Sequence, residues 1–373
     1  MTRNREQNYE LLRTVCAIAV IAIHVSASYL EAIVNDRAFG QLYLNGIIWS
    51  CAYNVLSRFA VPCFVMLTGA FALADDRNED YRYFYGKTFI NVGIPTLVFS
   101  VLYFLFAMMK EILLIGVGDR DLSELIQPVL DWVTGTPYYH MWYLYMMAGV
   151  YLLVPFVLMV KKQVGERNFG KAAWIFLILA SIGDLTSTEK LYWDVGYSFR
   201  YTGYLMVGYE LRKLAVGHKN NRKGLFLIGG GIMVECVAMI LRYRQALSGI
   251  ADEDLKYKLV PPLSPLVVVA SVLIFAGFSF LHIKANGSKI AGITFPIYLI
   301  HAGVWDVLAI IVRKLGYAWD NRIVIPVSII IVFVLSALLS KIYLVIWNRV
   351  RGNGRRQRVR TKRDYNVTSN KHE

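Results

Sequence analysis

Ten apolar segments follow one another along the chain, separated by short stretches that hold most of the charged residues. A helix needs about 20 apolar residues to cross the hydrocarbon core of a bilayer, so each segment predicts one transmembrane helix. The segments are residues 11–31, 47–74, 85–109, 141–160, 172–188, 197–215, 225–246, 261–282, 289–312 and 323–347. The pattern predicts an all-α fold, a polytopic integral membrane bundle of about ten helices.

The distribution of basic residues predicts how this bundle is oriented. An even number of spans puts both termini on one side of the membrane. With the N-terminus in the cytoplasm, the inner segments hold more Lys and Arg than the outer loops, as the positive-inside rule requires. Both termini are therefore predicted to be cytoplasmic.

The chain is predicted to form one membrane domain with a tail. No linker rich in Gly, Ser or Pro divides residues 1–348, and no internal repeat is visible. Residues 349–373 are polar and basic, which predicts a disordered cytoplasmic tail close to anionic headgroups.

Composition excludes several classes of protein. The chain is 56% hydrophobic and 18% charged, against about 25% charged residues in soluble domains, which excludes a soluble enzyme and a disordered chain. The net charge of +14 does not indicate nucleic-acid binding, because the excess lies largely in the tail and in short loops. Four cysteines lie in apolar segments without metal-ligand spacing, and are predicted to be free, buried thiols: Cys16, Cys51, Cys63 and Cys236.

Charged or titratable residues inside the membrane are costly, so they are the first candidates for function. Arg13 and His24 lie eleven residues apart in the first predicted helix. This spacing puts both on one helix face, with His24 about 16 Å deeper. A guanidinium suits a phosphate and an imidazole suits proton transfer, so the pair fits a long ligand that enters phosphate-first. Alternatively, Arg13 snorkels to the headgroups and His24 makes a structural hydrogen bond.

A second group of polar residues lies in the ninth segment. Tyr298, His301 and Trp305 have the i, i+3, i+7 spacing of one helix face. A face that only packs against a neighbouring helix does not need a histidine, although packing alone would explain Tyr298 and Trp305. Asp306, next in the chain, is predicted to be a polar residue of the outer half with a local partner.

The third candidate is Arg58, about a third of the way along the second segment. It lies too deep to snorkel easily and therefore needs an anion or carbonyl groups. Pro62 removes a backbone donor and opens the helix beside it, while Gly69 allows a close approach of helices. Glu210 and Glu235 are predicted to form structural ion pairs with arginines.

Four motifs, taken together and in this order, resemble the acyltransferase 3 family of bacterial membrane proteins, which O-acylate glycans. They are Arg13 and His24 with ten residues between them, Arg58 followed by Val61-Pro62-Cys-Phe64 and Thr68-Gly69, His140-Met-Trp142-Tyr143, and Ile297-Tyr298-Leu-Ile-His301. The resemblance extends over roughly residues 10–345.

The resemblance implies a multi-pass protein of the bacterial cytoplasmic membrane. It implies acyl-CoA, usually acetyl-CoA, as donor substrate on the cytoplasmic side, a glycan or lipid-linked sugar as acceptor on the outer side, and no bound cofactor or metal. His24 carries over as the catalytic base and Arg13 as a donor-binding residue. Arg58 and His301 are implied to be catalytic residues of the same cavity.

The remaining site residues also come from the resemblance. His140, Trp142 and Tyr298 are implied to bind substrate. The family often has an Arg-x-x-Arg pair at the start of the third helix, where this chain has Arg82-Tyr-Phe-Tyr-Gly-Lys87. Arg82 and Lys87 are the residues expected to hold the donor phosphates instead.

A function of another class remains open at this point. A transporter or flippase for a lipid-linked glycan or a small anion would use the same intramembrane Arg and His residues without chemistry. The chain has no repeated half and no matching pair of broken helices, which is the evidence against a transporter.

Overall fold

The computed structural model describes residues 6–35, 40–116, 121–186, 195–247, 260–283, 290–314 and 320–369. Within these ranges the regular structure is helical, and no β-strand occurs. The helices are α1 (Gln7–Asn35), α2 (Gly40–Val55), α3 (Ala60–Ala72), α4 (Tyr81–Thr88), α5 (Ile94–Gly116), α6 (Ile126–Val133), α7 (Trp142–Thr186), α8 (Val195–Arg200), α9 (Thr202–Ala215), α10 (Asn221–Leu247), α11 (Pro265–Phe280), α12 (Thr294–Lys314) and α13 (Asn321–Ser369).

The structure confirms a polytopic helical membrane bundle but not the number of ten spans. Seven helical stretches in the described part of the chain are long and apolar enough to cross a membrane: Gln7–Glu31, Gly46–Ala72, Tyr81–Leu113, Trp142–Asp184, Asn221–Gln245, Ala291–Ile311 and Asn321–Arg351. The helix Pro265–Phe280 is apolar but shorter.

The difference of three has three sources. Segment 261–282 holds only the shorter helix Pro265–Phe280. Segments 141–160 and 172–188 both lie in α7, which consists of two helices joined at Gly165, where φ is +74° and the backbone is not helical. Segment 197–215 is divided between the short helices α8 and α9. The number of membrane crossings therefore depends on elements shorter or more bent than the apolar pattern suggests.

The second predicted span is interrupted at Arg58. Residues 56–59 form turns between α2 and α3, and Pro62 lacks the N–H that would otherwise bond back to the carbonyl of Arg58. An interrupted helix leaves backbone donors unpaired in the hydrocarbon, and these need another acceptor. The N–H of Phe59 donates to Glu235 Oε1 at 3.0 Å. Glu235 is thus bound to the backbone at the interruption, not to an arginine side chain as predicted.

Close backbone contact joins α3 to α9. A Cβ atom at Gly69 would overlap the carbonyl oxygen of Leu205, and one at Gly208 would overlap the carbonyl oxygen of Met66. The two helices therefore touch through glycines on both sides, which confirms the close approach predicted at Gly69.

The last helix is longer than its apolar segment. The backbone of α13 continues as helix from Asn321 to Ser369, into the basic residues that follow the apolar segment. Arg and Lys are good helix formers, and extending an existing helix costs far less than nucleating one. The four cysteines are free, and Cys16, Cys51 and Cys63 are buried.

Candidate active site

A cavity of about 520 Å³ lies beside the first third of α1. Arg13 lines it together with Phe64 and Thr68 of α3 and with Tyr143 and Tyr298. The exposed side chains of Lys87 and Asn91 also line it and mark its mouth. The cavity thus leads from a cationic opening to aromatic walls.

Arg13 is held at this cavity without being fully neutralised. Its Nη1 lies 3.4 Å from Glu10 Oε1, and its guanidinium lies 5.2 Å from the centre of the Phe71 ring. The side chain remains 34% exposed. A weak ion pair and a cation–π contact leave donors free to bind an anionic ligand.

A second arginine, not identified from the sequence, shares the same aromatic ring. The guanidinium of Arg212 lies 4.8 Å from the centre of Phe71, on which Arg13 also stacks. Arg212 donates to Glu6 Oε1 at 2.6 Å and to the carbonyl of Ala70 at 2.9 Å. Its donors are therefore used to tie α9 to the N-terminal residues and to α3.

One carboxylate also lines the cavity, and its charge is compensated. Asp75 accepts bonds from Arg77 Nε at 2.9 Å and from Arg77 Nη2 at 2.8 Å. These hydrogen bonds lower the pKa of Asp75 to about 2. The carboxylate is therefore ionised and paired throughout the neutral range.

Three histidines meet deeper in the bundle. The ring of His24 lies 5.3 Å from that of His301 and 6.4 Å from that of His140, centre to centre. His140 and His301 lie 5.2 Å apart. Because α1 is helical from Gln7 to Asn35, His24 lies about three turns from Arg13 on the same face, as the spacing predicts.

The histidines differ in how much of each is buried. His140 and His301 are 0% and 1% exposed, whereas His24 is only half-buried. Within the described residues, His301 Nε2 and both ring nitrogens of His140 have no hydrogen-bond partner. Buried polar atoms without partners are unusual in folded proteins, so each of these nitrogens calls for an explanation.

Tyr298 lies between the cavity and the histidines. It lines the cavity, and its ring lies 5.5 Å from His301 and 5.7 Å from His140. Its hydroxyl donates to the backbone carbonyl of His140. The three histidines do not themselves line the cavity, so Tyr298 is the group through which the two regions meet.

Arg58 reaches the histidine region through Asn54. Its Nε and Nη2 both donate to Asn54 Oδ1, at 3.1 and 2.5 Å. Asn54 Nδ2 in turn donates to the carbonyl of Ile23 at 3.0 Å and to Ser26 Oγ at 3.2 Å. Since Ile23 and Ser26 flank His24 on α1, this network fixes Arg58 against the turn that carries His24.

Two tyrosines not identified from the sequence complete the site. Tyr138 and Tyr139 donate to the two carboxylate oxygens of Asp306, the Tyr139 bond measuring 3.4 Å. The ring of Tyr139 lies 5.0 Å from that of His24 and is 42% exposed. Asp306 therefore has polar partners, as predicted, but they come from another part of the chain.

The structure separates the sequence-predicted residues into two regions. Arg13 and Lys87 line the cavity, Tyr298 lines its inner wall, and His24, His140 and His301 form the cluster behind it. Arg82 lies outside the cavity lining, with its guanidinium 5.8 Å from the Tyr81 ring. Trp142 packs beside Tyr143 and also does not line the cavity.

Some of the missed residues had a signal in the sequence. Tyr138 and Tyr139 precede His140 directly, and Asn54 lies one helical turn before Arg58. No sequence pattern pointed to Arg212, because its contact with Phe71 depends on how α9 packs against α3. In the described part of the chain, no group of three His, Cys, Asp or Glu side chains has the arrangement of a metal site.

Comparison with known proteins identifies the family of the chain. The family model for the acyltransferase domain of acyltransferase 3 proteins matches residues 6–341. No curated protein and no solved structure matches the chain. The matched residues include the cavity, the histidine cluster and α12, and cover nearly the whole chain. The chain therefore belongs to the acyltransferase 3 family and is a multi-pass membrane acyltransferase.

Proposed function

We propose that this protein transfers an acyl group, most simply acetyl, from cytoplasmic acyl-CoA to a hydroxyl of an envelope glycan or lipid-linked sugar at the bacterial cytoplasmic membrane. The observation that carries the proposal is the junction at Tyr298 between a cationic cavity and a cluster of three histidines. The cationic cavity suits the phosphates of a long anionic donor, and the histidine cluster suits proton transfer.

The donor enters by its thioester arm and leaves its phosphates at the cavity mouth. Arg13 and Lys87 supply cationic donors there. The distance of about 16 Å between Arg13 and His24 along α1 suits a ligand that is anionic at one end and extended. Acyl-CoA has this form, since its phosphates and its thioester lie at opposite ends of a flexible chain.

His24 acts as the general base. A ring nitrogen of His24 takes the proton of the acceptor hydroxyl, and the oxygen attacks the thioester carbonyl. The C–S bond breaks when the tetrahedral intermediate collapses, and the proton passes from His24 to the leaving thiolate of CoA. Arg58, fixed against α1 by Asn54, stabilises the oxyanion. The acceptor approaches along the exposed ring of Tyr139.

The test follows both products of the reaction. The purified protein is reconstituted in liposomes with acetyl-CoA and an envelope glycan fraction, and free CoA thiol and glycan-bound acetyl ester are measured. We expect both to appear in equal amounts, and His24→Ala to lower kcat by about 10³-fold. His218→Ala is the matched control, because His218 is exposed and lies outside the site.

Two outcomes contradict the proposal. Full activity of His24→Ala would exclude His24 as the base. Movement of a lipid-linked glycan across the bilayer with no release of CoA would identify a carrier instead of a transferase.

A further inference from the structure

His301 is held by a hydrogen bond that fixes which of its ring nitrogens carries a proton. Its Nδ1 lies 2.7 Å from the backbone carbonyl oxygen of Tyr298. A carbonyl oxygen only accepts, so Nδ1 is the protonated nitrogen. In a neutral imidazole the other nitrogen, Nε2, then holds a lone pair and accepts a hydrogen bond.

The surroundings of His301 favour the neutral ring. The side chain is 1% exposed, and a buried imidazolium needs an anionic partner. The titratable groups that face it are His24 from α1, His140 from the segment before α7, and Tyr298 from its own helix. The carboxylate of Asp306 accepts from Tyr138 and Tyr139 instead.

The lone pair on Nε2 therefore needs a donor. Nε2 is buried, and in the described part of the chain no hydrogen bond reaches it. The rings of His140 and His24 lie at almost the same distance from that of His301, 5.2 and 5.3 Å from centre to centre. Of the two, His24 is the partner on which function depends, because it is partly exposed and serves as the base in the proposed function.

We infer that His301 is a positioning residue for His24: its Nε2 accepts a hydrogen bond from one ring N–H of His24. This bond selects the tautomer of His24 whose other nitrogen is free to take the acceptor proton. The bond is not made in this structure, and the two rings would have to turn toward each other to close it, as catalytic hydrogen bonds often do only when substrate binds. The inference rests on the proposed function, in which His24 is the base.

The inference makes His301 the group that orients the catalytic base. A base held by a third group in this way is a recurring arrangement in enzymes, and loss of the orienting group lowers kcat without removing substrate contacts. His301 supplies a neutral acceptor, so no second charge has to be buried beside His24.

Two substitutions test the roles of the two ring nitrogens of His301 separately. His301→Asn keeps an amide N–H near the position of Nδ1, and so keeps the bond to Tyr298, but has nothing near Nε2. His301→Gln can place its amide oxygen near the position of Nε2, where it accepts a bond from His24. His218→Asn and His218→Gln are matched controls, because His218 Nδ1 also lies 3.0 Å from a carbonyl, that of Val216, on an exposed loop.

The measurement is transfer of radiolabelled acetyl from acetyl-CoA to base-labile esters in native membranes. We expect His301→Asn to lower kcat by about 10²-fold with the KM for acetyl-CoA within about twofold, and His301→Gln to recover kcat to within about tenfold of the wild-type value. Wild-type kcat in His301→Asn, or equal losses in the Asn and Gln variants, would overturn the inference. If the wild-type protein transfers no label, the proposed function fails instead.

A second measurement tests the protonation of the ring nitrogens directly. Solid-state NMR of the protein labelled with ¹⁵N-histidine reports which ring nitrogens are protonated. We expect one histidine with protonated Nδ1 and unprotonated, hydrogen-bonded Nε2, and we expect the signal of that residue to disappear in His301→Gln. A protonated Nε2 in His301 would overturn the assignment.

Discussion

The cavity around Arg13 and the histidine cluster behind Tyr298 satisfy their polar groups in different ways. Arg13 is partly exposed and bound to a carboxylate and an aromatic ring. His140 and His301 are buried, and their ring nitrogens are largely without partners among the described residues. The first region leaves its charged group partly exposed, while the second buries two of its three histidines.

This difference indicates a division between binding and chemistry. Exposed cations bind phosphates with little reorganisation but gain modest energy, because water and salt screen them. Buried, oriented dipoles act strongly on a charge that develops in the transition state. Substitutions in the cavity should therefore change KM for the donor, and substitutions at the cluster should change kcat.

Substitution of Arg58 tests the region around the histidine cluster, where the chemical step is proposed. Of the three predictions that compare this region with the cavity, it has the largest expected effect. We expect Arg58→Gln to lower kcat by about 10²-fold while the KM for acetyl-CoA changes little, because a guanidinium fixed by Asn54 beside His24 no longer stabilises the oxyanion. Steady-state kinetics with acetyl-CoA measure both constants. Arg322→Gln is the control, since Arg322 also donates to a nearby side chain, the carboxylate of Asp320, but lies outside the site. A raised KM for acetyl-CoA with an unchanged kcat would show that Arg58 binds the donor and does not act in the chemical step.

The relation of Arg13 to His24 was predictable from sequence because both lie on one regular helix. A uniform rise and rotation per residue convert a spacing of eleven into a shared face and a depth. The same argument holds for Tyr298 and His301 on α12. Pro62 and Arg58 also indicated an opened helix near the interruption that the structure has at residues 56–59.

The rest of the site depends on contacts between distant parts of the chain. Neither the contact of Tyr139 with His24 nor that of Arg212 with Phe71 follows from a local pattern, because each joins residues more than a hundred positions apart. The exact number of spans is not confirmed for a related reason. Residues 142–186 form two helices joined at one residue, Gly165, and segment 197–215 is divided between α8 and α9, and composition reveals neither feature.

Substitution of Arg13 tests the binding region. We expect Arg13→Gln to raise the KM for acetyl-CoA by about tenfold with kcat nearly unchanged, since a phosphate loses a charged donor. The wild-type KM should rise with ionic strength, and this dependence should weaken in the variant. Because Arg77 holds the pKa of Asp75 at about 2, a pH dependence of KM near neutrality does not arise from that carboxylate.

Protein stability separates this effect from misfolding. The ion pair of Arg13 with Glu10 is partly exposed, and such pairs contribute about 0–1 kcal/mol, so the thermal unfolding midpoint should change little. A lower kcat at an unchanged KM would show that Arg13 acts in the chemical step and would remove the distinction between the two regions.

The third prediction has the smallest expected effect. It tests which side chains of α4 lie at the cavity and contact the donor. Lys87 and Arg82 lie five residues apart, which turns their side chains about 140° from each other, and only Lys87 lines the cavity. We expect Lys87→Ala to raise the KM for acetyl-CoA about threefold and Arg82→Ala to change it less than twofold. Lys87→Arg keeps the charge and should restore the wild-type value. If Arg82→Ala has the larger effect, the donor phosphates bind on the opposite face of α4, because one rigid helix of this length cannot present both side chains to the same cavity.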